Sequence, residues 1–170
     1  IGSVMAEYGL STCIGIAFDG TGYGLDGTIW GGEIFYCNGA DFERLASLSP
    51  VILCGGDEGS RDASLSAACH LISANIPGYL AEYFCNPGRY SLIQSALEHR
   101  INTVESTSMG RLFDAVSDIL GIRSYNTYEG ECATALENAA AQALEQEIQP
   151  YPLQFAILQN GGILRLDCNG

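Results

Sequence analysis

The sequence predicts a mixed α/β (α+β) fold: a strand–glycine loop–strand unit, then a mostly helical region, then a C-terminal hairpin. Three observations predict this order. The apolar run at 13–18 leads into a glycine-rich segment, and a second β-prone run begins at Thr28. Further along, residues 107–121 place apolar side chains at helical spacing. Near the end, two short apolar runs flank Gln-Asn-Gly-Gly at 159–162, which is typical of a hairpin.

Local patterns predict the remaining elements. Phe42, Leu45 and Leu48 fall on one helical face, and Pro and Gly residues interrupt the segment 76–89. Asp57 follows a Gly-Gly turn and can cap a helix, because a carboxylate accepts from the first free amides. We therefore expect a short helix at 40–48, a buried segment at 51–54, a long helix from Asp57 toward Ala74, a broken connection at 76–89, a helix at 90–99, a helix at 107–121 and a helix at 129–146.

The charge balance argues against nucleic acid and anionic membranes as partners. The chain has 170 residues, a formal net charge of −13, seven Arg and no Lys. It therefore lacks a basic patch that could displace counterions from either surface. None of its apolar runs approaches the ~18–20 residues of a membrane span. With 47% hydrophobic residues the chain can bury a core, and we expect residues 1–170 to form one unit of a cytoplasmic protein.

The seven cysteines are expected to be reduced and mainly structural. They stand singly, without a CxxC pair, and only His70 and His99 could join them as metal ligands, so a zinc site is not expected. Most lie in apolar or alanine-rich surroundings, where a free thiol packs as a small hydrophobic group. Both histidines fall within helical stretches and are interpreted as structural. The pattern is typical of a cytosolic protein.

The segment FDGTGYGLDGTIWGGE at 18–33 contains the first candidate site. Its glycines permit positive φ and close backbone approach to a ligand, and successive amides in such a loop can bind an anion. Asp19 follows the first strand and could hold a hard metal ion through a carboxylate oxygen. The residues alone leave two alternatives open: a tight hairpin whose glycines serve turn geometry, and an aspartate that accepts from its own turn amides.

A second candidate site lies in the helix at 107–121. Gly110 falls in the first turn, where free amides and the helix dipole favour a phosphate or a ribose hydroxyl. Asp114 lies one turn later on the same face and could accept from ribose hydroxyls. The alternative is an exposed Arg111–Asp114 side-chain pair on an amphipathic helix.

Four motifs occur in order: FDGTGYGLDGTIWGGE (18–33), GGDEGSR (55–61), STSMGRLFDAVSDILGI (106–122) and YEGECATALE (128–137). Together they resemble the carbamoyltransferase of NiFe-hydrogenase maturation, the HypF family, over essentially the whole chain. The resemblance implies part of an actin-like ATPase fold. It also implies an enzyme that takes carbamoyl-adenylate, made from carbamoyl phosphate and ATP. Such an enzyme passes the carbamoyl group to the C-terminal cysteine of the partner HypE during cyanide ligand synthesis.

The resemblance also implies a role for individual residues. Asp19 matches an aspartate that shares a divalent ion with a His-rich motif, and the ion could be iron, magnesium or zinc. That motif would precede Ile1 and a further aspartate would follow the chain. We therefore expect an incomplete metal site, and no carbamoyl transfer by residues 1–170 alone. The residues expected to contact ATP or carbamoyl-adenylate are Gly20, Thr21, Gly22, Gly24, Gly110, Arg111, Asp114, Glu129 and Gly130.

Some positions keep a simpler interpretation beside the implied one. Glu129 and Gly130 could be a helix N-terminus with an acid that favours the dipole. Arg61 matches a family arginine, but the Pro-Trp-Arg that follows in the family is replaced by Ala-Ser-Leu at 63–65, and we interpret Arg61 as a solvated helix residue. No catalytic residue is assigned.

Other functions remain possible. One is an O-carbamoyltransferase that acts on a small natural product, or an enzyme like the tRNA threonylcarbamoyltransferases. Another, of a different class, is a non-catalytic nucleotide-binding or docking module. The GGDEGSR segment and the GRLFDAV helix favour the hydrogenase branch.

Overall fold

The computed structural model describes residues 1–81 and 83–167, and it confirms the mixed α/β architecture. The helices are α1 (Gly2–Glu7), α2 (Glu58–Arg61), α3 (Ala63–Ser73), α4 (Gly78–Ala81), α5 (Pro87–Glu98), α6 (Met109–Ile119) and α7 (Glu131–Glu145). The strands are β1 (Thr12–Tyr23), β2 (Ile29–Asn38), β3 (Asp41–Leu48), β4 (Val51–Cys54), β5 (Thr103–Ser106), β6 (Ala156–Asn160) and β7 (Ile163–Asp167).

The chain divides into two compact units. Unit 1 comprises Ile1–Pro50, Thr107–Met109 and the described part of Gln154–Gly170. Unit 2 comprises Val51–Ser106 and Gly110–Leu153.

Unit 1 contains five strands in the order β1-β2-β3-β7-β6. All neighbours are antiparallel except β3 and β7, which run parallel. The C-terminal hairpin predicted from the Gln-Asn-Gly-Gly sequence is confirmed as β6 and β7. Three aromatic side chains pack beside the sheet: Phe35 lies 5.9 Å from Trp30 and 5.4 Å from Phe42, measured between ring centroids.

The strand–glycine loop–strand unit is confirmed as the β1–β2 hairpin, but its loop is shorter than predicted. Strand β1 continues through Asp19 to Tyr23, so Asp19 lies within the strand and not at its end. The register passes from Phe18 opposite Gly32 to Gly22 opposite Trp30. Three residues, 19–21, therefore face one residue of β2 in a β-bulge. The strand can resume because Gly22 has no side chain: a Cβ there would lie 2.4 Å from the Trp30 carbonyl oxygen.

The helix predicted at 40–48 is wrong, because this segment forms strand β3. Gly39 and Ala40 make the turn from β2, and Gly39 adopts φ of +61°, which glycine tolerates. The segment then pairs with β2 on one side and β7 on the other. These two ladders of backbone hydrogen bonds outweigh a weak helical pattern in so short a segment.

Unit 2 packs helices against the antiparallel pair β4 and β5. The buried segment predicted at 51–54 is confirmed as β4, whereas the sequence analysis missed β5. The core consists of Val51, Leu53, Cys54, Ala68, Cys69, Leu71, Ala81, Tyr90 and Ile93.

The long helix predicted from Asp57 toward Ala74 is wrong in its start, because Asp62 interrupts it. Asp62 adopts extended backbone angles, φ −93° and ψ 95°, and accepts from the Ser64 amide at 3.1 Å as the N-cap of α3. Asp57 makes no side-chain cap hydrogen bond to α2. The helices predicted near 90–99, 107–121 and 129–146 are present as α5, α6 and α7, with α5 starting earlier at Pro87.

The helices and the cysteines can each be described briefly. No helix of the described chain combines the length and the apolarity that a bilayer-spanning segment requires. Six cysteines are free thiols: Cys13, Cys37, Cys54, Cys69, Cys85 and Cys132. Cys168, the seventh in the sequence, lies outside the described residues.

Candidate functional site

Asp19, the predicted metal ligand, lies exposed in the bulge of β1. Its Oδ1 accepts from the amides of Gly20 at 2.6 Å and Thr21 at 3.4 Å. This is the geometry of an aspartate that bonds its own turn amides. Its Oδ2 has no hydrogen-bond partner among the residues that the structure describes. One carboxylate oxygen is therefore available to a ligand, while the other holds the bulge in shape.

The predicted anion-binding amides are used within the hairpin. The amides of Gly20 and Thr21 point at Asp19, and the Gly24 amide donates to the Thr28 carbonyl at 2.9 Å. A Cβ on Gly24 would lie 2.5 Å from that carbonyl oxygen. The glycines thus serve close backbone approach in the hairpin. Phosphate binding by these amides requires them to exchange partners, and it stays a prediction.

Asp26, in the turn of the hairpin, is the centre of a small polar network that sequence reasoning missed. Its Oδ1 accepts from the Thr28 hydroxyl at 2.7 Å and from the Trp30 indole at 3.0 Å. Its Oδ2 lies 3.3 Å from Nη1 of Arg44, which in turn stacks over the Trp30 ring at 4.1 Å. Burial alone would raise the pKa of Asp26, but the hydrogen bonds from Thr28 and Trp30 and the Arg44 charge lower it.

An apolar cavity of about 370 Å³ lies beside the same turn within unit 1. Its lining includes Tyr23, Leu25, Trp30, Phe35 and Phe42, with Asp41 as a charged residue. The volume lies in the range of small-molecule pockets.

In unit 2, Arg111 and Asp114 pair on α6, but the pair is buried and not exposed. Nη2 of Arg111 lies 2.8 Å from Oδ2 of Asp114, and the two side chains are 13% and 1% exposed. Oδ1 of Asp114 accepts from the Asn126 amide nitrogen at 3.1 Å. Burial raises the pKa of Asp114, and Arg111 and Asn126 oppose that rise. A ribose contact through Asp114 requires this carboxylate to be uncovered, and it stays a prediction.

Asn126 connects three of the sequence motifs, and the sequence analysis did not single it out. It is 5% exposed, and its Nδ2 also donates to the Ser60 carbonyl at 3.0 Å. Its Oδ1 accepts from the Cys132 amide at 2.7 Å in the first turn of α7. The GGDEGSR, GRLFDAV and YEGEC segments therefore meet on one amide side chain. No local pattern predicts this role, since two of its three partners, Asp114 and Ser60, lie 12 and 66 positions away.

The segment before α7 leads into a helix start that has no side-chain cap. Gly130 adopts φ of +77° as the N-cap. Glu131 accepts from the Thr127 amide at 2.7 Å and hydroxyl at 2.8 Å, which lowers its pKa, and its Oε1 lies 2.9 Å from Arg123. Glu129 is exposed. These positions fit the helix N-terminus interpretation, and a nucleotide contact there remains a prediction.

The predicted site residues thus fall into two sets. Asp19, Gly20, Thr21, Gly22 and Gly24 lie together on one hairpin of unit 1. The others, Gly110, Arg111, Asp114, Glu129 and Gly130, lie in unit 2. Arg61 is exposed at the end of α2, and its carbonyl oxygen accepts from the backbone N–H of Asn126 at 2.7 Å. Nδ1 of His70 and of His99 each lies within 2.9 Å of the carbonyl four residues earlier, so neither nitrogen is directed at a ligand.

Comparison with known proteins places these motifs in a family. The profile described as "Carbamoyltransferase, Kae1-like Domain, second subdomain" matches residues 15–166. Carbamoyltransferase HypF2 of Cupriavidus necator is 37% identical over 147 residues, which are 86% of this chain and 18% of that protein. A HypF homolog of the same organism is 34% identical, over 98% of this chain and 43% of its own length.

Solved structures are similar over nearly the whole chain. The crystal structure of full-length HypF in its phosphate- and nucleotide-bound form superimposes with a TM-score of 0.81 at 33% identity, covering 99% of this chain and 21% of that one. The crystal structure of T. kodakarensis HypF gives a TM-score of 0.72 at 33% identity, over 96% and 22% of the two chains. The chain thus spans between about a fifth and under half of the length of these relatives.

Proposed function

Because this chain belongs to the HypF carbamoyltransferase family, we propose that the whole protein transfers a carbamoyl group during NiFe-hydrogenase maturation. The observation that carries the proposal is the family match over residues 15–166, together with the 0.81 TM-score to full-length HypF. The proposed donor is carbamoyl-adenylate, made from carbamoyl phosphate and ATP. The proposed acceptor is the C-terminal cysteine of HypE. Its thiolate sulfur attacks the carbamoyl carbon, and AMP departs with the electrons of the broken bond.

The proposed nucleotide contacts follow the two sets of residues. On the hairpin, a β-bulge next to an exposed carboxylate supports the proposal, because bulges occur frequently beside active sites. In unit 2, Gly110 lies in the first turn of the 11-residue helix α6, where the dipole favours a phosphate. The HypF structure with bound phosphate and nucleotide supports ATP as the ligand. A cytoplasmic location is part of the same proposal.

The proposed divalent ion is held by Asp19 only together with ligands from elsewhere in the whole protein. Oδ2 of Asp19 can accept a cation, since no donor among the described residues occupies it. Within the described chain, no group of three His, Cys, Asp or Glu could hold an ion. When bound, the ion supplies positive charge near the transferred group. Asp19 itself would orient one oxygen toward it.

The test is HypE-dependent breakdown of ATP by the full-length protein in the presence of carbamoyl phosphate, with mass spectrometry of the HypE C-terminal peptide. We expect ATP breakdown that needs HypE and a carbamoylated cysteine. Binding of the HypE tail without transfer would favour a docking module instead.

Two variants of the full-length protein test the residue roles. Asp19→Asn should lower both metal content and transfer, because it removes a charge from the ion. Asp114→Asn should weaken nucleotide affinity by about tenfold to a hundredfold and leave metal content unchanged. The control is Glu43→Gln, an exposed carboxylate on β3. Full metal content and turnover in Asp19→Asn would remove Asp19 as a ligand.

A further inference from the structure

Glu33 is a buried carboxylate in the glycine-rich hairpin, and both of its oxygens accept hydrogen bonds from described residues. It lies in β2 and is 2% exposed. Its Oε1 accepts from the amides of Gly31 at 3.2 Å and Gly32 at 3.4 Å, and from the Thr107 hydroxyl. Its Oε2 accepts from Nε of Arg44 at 2.6 Å. A carboxylate buried without such partners would cost several kcal/mol or more.

On one side, Glu33 is connected to the turn of the hairpin. Its partner Arg44 has a side chain that is 9% exposed, and the guanidinium also reaches Asp26 at 3.3 Å. Asp26 in turn holds Thr28 and Trp30 of the turn. Arg44 therefore links the Glu33 carboxylate to the turn at residues 24–30.

On the other side, Glu33 is connected to the backbone of Asp19. Ser108, next to Thr107, donates its hydroxyl to the Gly20 carbonyl at 2.8 Å and to the Asp19 carbonyl at 3.3 Å. Gly31 lies against the same backbone, because a Cβ there would be 2.4 Å from the Asp19 carbonyl oxygen and 3.0 Å from Cα of Ser108. The Asp19 peptide thus lies between two segments, Gly31 in β2 and residues 107–108 before α6. Oε1 of Glu33 accepts a hydrogen bond from each segment.

We propose that Glu33 is the positioning residue of the glycine hairpin: its Oε1 sets the place of the bulge that carries Asp19. A buried ion pair is weak evidence for stability, since hydrophobic residues of similar size often replace one without loss. Oε1, in contrast, gathers donors from β2 and from the segment before α6. The positioning itself is independent of the proposed function, which enters only where the bulge is assigned to a metal ion or a nucleotide.

Two double variants of the full-length protein distinguish the effect of the Oε1 acceptor of Glu33 from the effect of the Glu33–Arg44 ion pair. Glu33→Gln with Arg44→Met removes both charges but keeps an acceptor oxygen opposite Gly31, Gly32 and Thr107. Glu33→Met with Arg44→Met removes the charges and the acceptor. Glu43→Gln, an exposed position on β3, is the control. Amide hydrogen exchange is measured without substrate in residues 19–32, and residues 156–167 of the same unit serve as the internal reference.

We expect the variant without an acceptor to exchange at least about tenfold faster in residues 19–32 than the variant with one, because it loses hydrogen bonds at Oε1. Residues 156–167 should exchange equally in both. Equal exchange of residues 19–32 in the two double variants, whether fast or slow, would overturn the proposal. So would a difference that extends to residues 156–167, because that indicates a general loss of stability.

A transfer assay on the same proteins gives the functional consequence. We expect transfer and metal content to fall together in the variant without an acceptor and to be retained in the variant with one. If the unmodified protein transfers no carbamoyl group, the proposed function fails, while the exchange comparison still decides whether Glu33 positions the hairpin. The two failures are therefore distinguishable.

Discussion

Asn126 satisfies its own polar groups and those of three different segments at once. A buried amide is costly unless its donors and its acceptor find partners. Here Nδ2 donates to Asp114 and Ser60, and Oδ1 accepts from Cys132. Any smaller side chain leaves the Asp114 carboxylate and the Cys132 backbone amide buried with one partner fewer, and it removes a donor from the Ser60 carbonyl.

Asn126→Ala should therefore destabilise unit 2 by about 2–4 kcal/mol, since unmade buried hydrogen bonds cost about 1–3 kcal/mol each and the site relaxes in part. The effect should concentrate at the start of α7, where the Cys132 amide loses its acceptor. Hydrogen exchange of residues 130–136 in the full-length protein measures it. Asn138→Ala, an exposed position on α7, is the control. Equal protection in the two variants would show that Asn126 only fills space.

His70 gives a pH dependence whose sign can be stated. Burial lowers its pKa below 6.5, and a hydrogen bond with the Ser66 carbonyl opposes this only in part. The unfolded chain therefore binds more protons than the folded one below pH 6.5, so stability from this group is present above 6.5 and lost as the pH falls.

His70→Gln should remove this loss, because glutamine does not titrate. Urea unfolding midpoints at about pH 5.5 and pH 7.5 should differ less for His70→Gln than for the unmodified protein. His99→Gln is the matched control: Nδ1 of His99 makes the same contact with the carbonyl four residues earlier, at 2.9 Å, but on the surface. An unchanged pH difference in His70→Gln would contradict the assignment.

Among single residues, the sequence located the motifs but did not predict the contacts that hold the motifs in place. Asp19 and Asp114 stand inside recognisable patterns. Glu33 and Thr107 are 74 positions apart and become partners only when β2 and the start of α6 are folded. No periodicity or spacing rule connects such a pair. For Asp114, the predicted pairing with Arg111 is present, but its burial follows from packing that spacing does not reveal.

Among the elements, β2 combines two glycines with a buried carboxylate in three consecutive residues. A Cβ on Gly31 would lie 2.4 Å from the Asp19 carbonyl oxygen. A Cβ on Gly32 would lie 2.7 Å from the Leu48 side chain and from the Thr107 carbonyl oxygen. The strand thus lets two backbones approach where a side chain would separate them. Sequence analysis assigned Gly20 and Gly22 to a loop, whereas the bulge at 19–21 keeps both of them within β1.

Gly31→Ala should separate β1 from β2 near the bulge and cost about 1–3 kcal/mol, as overpacking does. The conflict is with backbone atoms and not with a flexible side chain, so it is not relieved by a rotamer change. Proteolytic cleavage within residues 19–31 should become faster in the full-length protein. Gly2→Ala, where a Cβ meets no atom within 4 Å, is the control. Cleavage at the unmodified rate would mean that the hairpin tolerates the wider spacing.

The errors in element assignment share a cause. Residues 40–48 form a strand because β2 and β7 pair with them, and Asp62 splits the predicted helix because its carboxylate caps α3. Strand β3 depends on partners beyond the local window, and so does the break at Asp62, because its extended backbone forms a β-bridge with Tyr125. Only the cap bond from the Ser64 amide is local. In contrast, α6 and α7 each carry a long periodic pattern, and both were predicted.

At the scale of the whole molecule, four motifs in a fixed order were enough to recognise the family, although their geometry was only partly predictable. The order of the motifs and the identity of their residues can be determined from a single sequence without an alignment. The partition of the chain into two units depends on long-range contacts and was not foreseen.

The isolated chain of 170 residues should not transfer carbamoyl groups. It spans 18% to 43% of two of the matched relatives, and its described residues bring no three metal-ligating side chains together. Retained structure is first checked by circular dichroism. The chain is then mixed with ATP, carbamoyl phosphate and a peptide of the HypE C-terminus, and the peptide mass is compared with that from the full-length protein. We expect modification only with the full-length protein, because a transfer site needs both the donor and the ligands that orient it. A carbamoylated peptide from the isolated chain would place the complete transfer machinery within residues 1–170.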